Sequence, residues 1–146
     1  MDTIYIMSGL PGSGKSTWVR SNLKGPFIAS ADSYFTRHGV YRFEAAKLPA
    51  AHNACWGRFV GLVVRKCPTI VVDNTNLTWL DCSRYVLVGL ERGYRVVLVR
   101  CECSVTEAAA RNIHGVGAEH LERMATRVLE IPPDILANPN FYRADT

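Results

Sequence analysis

Residues Gly9, Leu10, Pro11, Gly12, Ser13, Gly14, Lys15, Ser16 and Thr17 fit the spacing G-x-x-x-x-G-K-[ST], with Gly9, Gly14, Lys15 and Ser16 at the fixed positions. Glycines open backbone conformations closed to other residues, so successive N–H groups can turn inward around anionic oxygens. A helix that follows directs its positive N-terminal end at the same anion. The chemistry that suits this arrangement is binding of a nucleoside triphosphate. Lys15 reaches the β- and γ-phosphates, and the Ser16 hydroxyl is a ligand for Mg²⁺. The run Ile4-Tyr5-Ile6-Met7 before the loop and Ser16-Thr17-Trp18-Val19-Arg20 after it supply the strand–loop–helix setting that the spacing requires. A glycine-rich turn that matches by accident has no need of that setting.

Two carboxylates follow predicted strands. Asp32 comes after Phe27-Ile28-Ala29-Ser30, and Asp73 ends the apolar run Thr69-Ile70-Val71-Val72. In open parallel sheets ligands bind beyond the carboxyl ends of the strands. The glycine loop, Asp32 and the Asp73-Asn74-Thr75-Asn76 loop are therefore expected at one edge of the sheet. Asp32 is read either as the base that accepts a proton from an attacking hydroxyl or as a helix N-cap, and the residues alone leave both open. Asp73 is read as part of the Mg²⁺ shell, against a turn or cap role. Asn74 and Asn76 are expected to contact the acceptor.

Three arginines, Arg111, Arg123 and Arg127, flank the break Arg111-Asn112-Ile113-His114-Gly115-Val116-Gly117. They are read as a lid that closes over the phosphates, with solvated surface charge as the alternative for each. Tyr34, Arg37, His38, Tyr41 and Arg42 interleave basic and aromatic side chains. Such residues contact nucleic-acid phosphates and stack on bases, or make a polar loop with no ligand.

The elements that must position these groups alternate between strand and helix, which predicts an α/β domain with a mostly parallel sheet. Strands are expected over about residues 3–8, 27–30, 69–73 and 94–100. Helices are expected over about residues 15–23, 45–66, 79–91, 104–112 and 118–129. Residues 36–43 read as a loop or short ribbon. Pro132-Pro133 ends regular structure, and residues from about 130 to 146 are expected to be an irregular tail. The whole chain, residues 1–146, is expected to form one domain.

Composition sets outer bounds. The chain has 146 residues, 48% hydrophobic and 21% charged, which is ordinary for a globular protein. No apolar run reaches the roughly 20 residues of a membrane span, and no secretory leader is expected at the N-terminus. Five cysteines without a paired framework point to a reducing, cytoplasmic compartment. Cys101-x-Cys103 has no second Cys/His pair beside it, so a structural role is expected rather than a metal site. A net charge of +4 is compatible with a polyanionic substrate.

With these residues in view, the chain resembles the polynucleotide kinase-like P-loop kinases, in the branch that holds the NEDD4-binding-protein-2-like proteins and the phage polynucleotide kinases. Gly9 to Thr17, Ser30-Ala31-Asp32-Ser33-Tyr34-Phe35, Gly39-Val40-Tyr41-Arg42-Phe43, Asp73-Asn74-Thr75-Asn76-Leu77 and Arg111-Asn112-Ile113-His114-Gly115-Val116 carry the resemblance, over about residues 3 to 128. It implies a P-loop kinase fold with a helical lid, ATP as phosphoryl donor and Mg²⁺ as its partner. It implies that Asp32 is the general base and that Arg111 is the lid arginine on the donor phosphates, while Lys15 completes the catalytic set. It implies a nucleic-acid acceptor, DNA favoured over RNA: a 5′-hydroxyl end, or hydroxymethyluracil in DNA as in related phage kinases. Three positions depart from the family pattern, with Ala31 for its Thr, Ser33 for its second Asp, and Phe35 where the phage enzyme places an Arg against the acceptor phosphate. No phosphatase or ligase domain is expected alongside. A kinase for a small metabolite or nucleoside and a non-catalytic ATP-binding adaptor are the competing readings.

Overall fold

The run that precedes the glycine loop, Thr3–Ser8, forms β1, the centre of a parallel sheet. The structure, a computed structural model, describes residues 1–111 and 115–146. Beside β1 lie β2 (Phe27–Ala29), β5 (Thr69–Asp73), β6 (Arg95–Arg100) and β7 (Phe141–Asp145), in the order β2-β5-β1-β6-β7. All four pairings are parallel. β3 (Thr36–Arg37) and β4 (Val40–Tyr41) make a separate antiparallel ribbon. Ile4, Ile6, Ile70, Val71, Val72, Val96 and Val99 are buried, as expected of strands covered on both faces.

Helices cover the two faces. Val19 on α1 (Lys15–Asn22) packs with Met7, Val71, Val97 and Val99 on one side. On the other, α2 (Leu48–Val64) and α3 (Trp79–Glu91) enclose Phe59, Leu62, Tyr85 and Val86 with Ile4 and Ile70. A capping box fixes the start of α3: the Asp81 N–H donates to Thr78 Oγ1 and the Thr78 N–H to Asp81 Oδ2. α4 (Val105–Arg111) and α5 (Ala118–Ala125) follow β6 and pack on the glycine loop, with Leu10, Leu77, Ala108, Leu121 and Met124 in one apolar cluster. The break from Asn112 to His114 lies outside the described residues.

The chain beyond residue 130 is not the irregular tail expected of it. Pro133–Leu136 forms the short helix α6, and β7 then extends the sheet, pairing from Val96↔Phe141 to Arg100↔Asp145. The cause is apolar anchoring: Ile131, Ile135 and Phe141 are buried in the main core. Thr146 N–H continues the ladder to the Arg100 carbonyl at 2.9 Å. Two smaller differences lie at helix ends. The helix expected from residue 45 opens as a tight turn, Ala45–Lys47, before α2, and α5 stops at Ala125 rather than near 129. All five thiols are free. No helix among the described residues is long and apolar enough to cross a membrane.

Candidate active site

β1 delivers the chain to Gly9, whose N–H donates to the Thr75 carbonyl at 2.9 Å. The glycine loop and the loop after β5 are thereby fastened together. Asn76 completes this fastening: its Nδ2 donates to the Met7 carbonyl at 2.7 Å, and its own carbonyl accepts from Ser8 Oγ at 2.9 Å. Asn76 is 2% exposed with φ 44°, a left-handed backbone that asparagine tolerates. The Asn76 side chain, expected at the acceptor, is turned into the fold with its Nδ2 on the Met7 carbonyl.

Gly12 has φ 84° and Gly14 φ 99°. At Gly12 a Cβ would also run into the Ala108 carbonyl, so the loop lies directly against α4. At Gly14 the space opens toward Arg111, whose Nη1 stands 4.0 Å from a Cβ built there. Gly14 caps α1 through backbone alone, which leaves the first-turn N–H groups facing the cradle. The Ser13 hydroxyl is buried in the loop without a hydrogen-bond partner among the described residues.

Lys15 folds back over the loop, its Nζ donating to the Gly9 carbonyl at 2.8 Å and the Leu10 carbonyl at 2.9 Å. Burial pushes its pKa below the usual lysine value, opposed by the charge of Asp73 first and, more weakly, of Asp32. The ammonium thus sits in the field of both predicted carboxylates. Ser16 is exposed in the first turn of α1 and Asp73 half-buried at the end of β5. A hydroxyl and a carboxylate are the hard oxygen donors that Mg²⁺ takes, so this pair fits the ion the loop implies.

Asp32 opens a tight turn, Asp32–Phe35, whose capping position belongs to Ala31, so Asp32 is one residue inside the turn rather than its N-cap. Two side chains hold the approach to it. Ser30 Oγ accepts from the Asp32 N–H at 3.2 Å, and Asn74 Oδ1 accepts from the Ala31 N–H at 2.9 Å. Asn74 also donates to Cys55 Sγ on α2 at 3.5 Å. Asn74 is thus a brace between three elements, a role that its position after Asp73 did not announce. Tyr41 Oη reaches toward Asp32 Oδ1 at 3.5 Å, and burial followed by the Asp32 charge raises the phenol pKa. The ribbon that carries Tyr41 turns at His38 and Gly39, both with positive φ, as a two-residue hairpin needs. Tyr34, Arg37 and Arg42 are exposed on or beside it.

The predicted lid arginines divide. Arg111, in the last turn of α4, lies beside Gly14 and is held by Glu107 Oε2 at 3.1 Å. Glu107 lies four residues earlier on the same helix, the i,i+4 spacing of a helical ion pair. Arg127 lines a cleft of about 200 Å³ with Gly9, Leu10, Leu77, Cys103 and Met124. Arg123 contacts His120 Nδ1 at 3.4 Å on the exposed side of α5. Phe43, the last residue of the Gly39–Phe43 stretch, packs on Phe35 at 5.1 Å between ring centres.

A family model described as "AAA domain" matches residues 4–130. Among curated proteins, human NEDD4-binding protein 2 is 35% identical over 129 residues, 83% of this chain but 7% of that protein. The chain therefore spans a small part of this relative's length. Among solved structures, a chain of the Pnkp1/Rnl/Hen1 RNA repair complex superposes with a TM-score of 0.66 at 18% identity, covering 85% of this chain and 43% of that one. The APS kinase of Mycobacterium tuberculosis, solved with AMPPNP and APS, superposes with a TM-score of 0.56 at 18% identity over 98% of this chain and 87% of that one. At such identities the two structures are alike in fold alone.

Proposed function

The chain belongs to the AAA-domain family, with the fold of P-loop kinases, and on that premise we propose that it is an ATP-dependent kinase whose acceptor is a hydroxyl on nucleic acid. One observation carries the reading: Lys15, the residue for donor phosphates, lies in the field of both Asp73 and Asp32. Together with the Lys15 Nζ bonds to the Gly9 and Leu10 carbonyls, this supports a donor site with an acceptor-side carboxylate beside it.

In this reading the loop N–H groups and Lys15 hold the β- and γ-phosphates. Lys15 exchanges its two carbonyl partners for phosphate oxygens when the nucleotide enters. Ser16 and Asp73 would hold Mg²⁺, which would supply charge neutralisation for the transferring phosphate. The acceptor oxygen attacks the γ-phosphorus, its bond to the β,γ-bridging oxygen breaks, and ADP leaves. Asp32 accepts the hydroxyl proton. Arg111 neutralises charge that grows on the transferring group, and Arg127 stands at the mouth of the cleft behind the loop. Most of the rate comes from positioning and electrostatics, since phosphoryl transfer demands little covalent work of the protein. Arg37, Arg42, Tyr34 and Tyr41 are the acceptor-side groups, and Asn74 acts by holding the Asp32 loop.

The test is transfer of labelled γ-phosphate to 5′-hydroxyl DNA, 5′-hydroxyl RNA, hydroxymethyluracil-containing DNA and free nucleosides. Label on an oligonucleotide, with affinity that falls steeply as salt rises, supports the reading. Label on free nucleosides alone, insensitive to salt, gives the small-molecule kinase. ATP binding with no transfer to any acceptor gives the adaptor.

A further inference from the structure

Phe35 is buried, and three aromatic rings surround it. Tyr34 meets it edge-on at 5.5 Å, Phe43 at 5.1 Å and Tyr41 at 6.3 Å between ring centres. The Arg42 N–H donates to the Phe35 carbonyl at 2.9 Å, which clamps the β3–β4 ribbon onto the turn that begins at Asp32. Phe35 is therefore the keystone of an aromatic cluster. Yet two of the rings it supports are not buried: Tyr34 is 38% exposed and Phe43 51%.

Exposed aromatic faces cost hydrophobic free energy unless a ligand covers them. Tyr34 stands two residues after Asp32, and Phe43 two residues after Tyr41, whose hydroxyl reaches that carboxylate at 3.5 Å. Arg37 and Arg42 flank them and make no ion pair among the described residues. Aromatic faces bordered by unneutralised guanidinium groups match a flat π-system carried on a phosphate backbone. They match neither a simple anion nor an aliphatic hydroxyl compound.

We infer that Tyr34 and Phe43 form a stacking platform for an unpaired nucleobase of the acceptor strand, next to the hydroxyl that Asp32 deprotonates. The inference rests on the nucleic-acid kinase reading and narrows it: the acceptor is presented single-stranded, or with its end unpaired. Base stacking has no sequence code, because every base offers a π-face, so the platform confers strand-form rather than sequence preference.

The experiment compares wild type, Phe43→Ala and Phe43→Leu on three acceptors: a single-stranded 5′-hydroxyl oligonucleotide, the same strand abasic at its first two positions, and a blunt duplex. Oligonucleotide affinity without nucleotide is measured beside kcat/KM for transfer. Wild type should lose roughly tenfold to a hundredfold in affinity when the bases are removed, the range expected for one stacked base. Phe43→Ala should lose a similar factor on the base-bearing strand and little more on the abasic one. Phe43→Leu keeps an apolar side chain without the π-face and should track Phe43→Ala. A base-dependent affinity that Phe43→Ala removes, without any transfer, would leave the platform standing and overturn the kinase reading. Equal wild-type affinity for abasic and base-bearing strands would overturn the platform, whatever the transfer assay gives.

Discussion

Asn74 Oδ1 accepts the backbone N–H of Ala31 at 2.9 Å, so the loop after β5 holds the loop that presents Asp32. The two residues are 43 positions apart in sequence, and the bond joins the ends of neighbouring parallel strands. Asn74→Ala leaves a part-buried N–H unsatisfied at a cost of about 1–3 kcal/mol. The expected result is a lower kcat with KM for ATP unchanged, because the donor side is held by other bonds. Steady-state kinetics against both substrates, with a thermal melt beside them, check this.

Gly12→Ala should separate the glycine loop from α4. The new Cβ meets the Ala108 carbonyl, and φ 84° is strained for an L side chain. A destabilisation of roughly 2 kcal/mol is expected, together with weaker ATP binding. Denaturant unfolding and nucleotide titration read the two effects separately.

Arg111→Ala should uncouple stability from activity. Its ion pair with Glu107 is solvent-exposed, 52% and 64% for the two side chains, and such pairs contribute about 0–1 kcal/mol. The melting temperature should stay nearly constant. Transfer should fall by on the order of 10²–10³-fold, as for loss of a donor aimed at transition-state charge. Arg123→Ala, whose contact is His120, should fall far less.

The pH dependence of stability should carry a mark of Lys15. Its folded pKa lies below 10.5, mainly through burial, so the unfolded chain binds more protons at this site in the alkaline window beneath 10.5. The penalty is fully present below the folded pKa and is relieved as pH rises through it, so wild type gains stability across that window. Lys15→Met should lack the gain. Phosphates raise the pKa of the ammonium, so ATP binding in the same window should take up a proton, visible as a buffer-dependent calorimetric heat.

Much of the fold was written in local signals. The buried run Thr69–Asp73 and the helix Trp79–Glu91, with its Thr78–Asp81 box, occupy the positions that sequence reasoning gives them. β7 was hidden because its signal is tertiary. Five residues after a proline-rich stretch pair with one neighbour, and the burial of Phe141 becomes apparent only once α6 brings it back to β6. The site divides in the same way. The glycine loop is contiguous, so its spacing is readable. Asn76 and Asn74 both follow Asp73 and look alike in sequence, but a positive φ turns one amide into the core while the other braces Ala31. That Arg111 and Arg127 both come beside the glycine loop while Arg123 turns to His120 depends on how α4 and α5 pack.

In the proposed mechanism Asp32 accepts the proton in a site whose donor half is built independently of it. Asp32→Asn keeps the shape of the side chain and removes the base. The most direct measurement is γ-phosphate transfer by this variant, with ATP affinity measured on the same preparation. Transfer should fall by at least about a hundredfold with ATP affinity within roughly threefold of wild type. Near-normal turnover at unchanged affinity would contradict it.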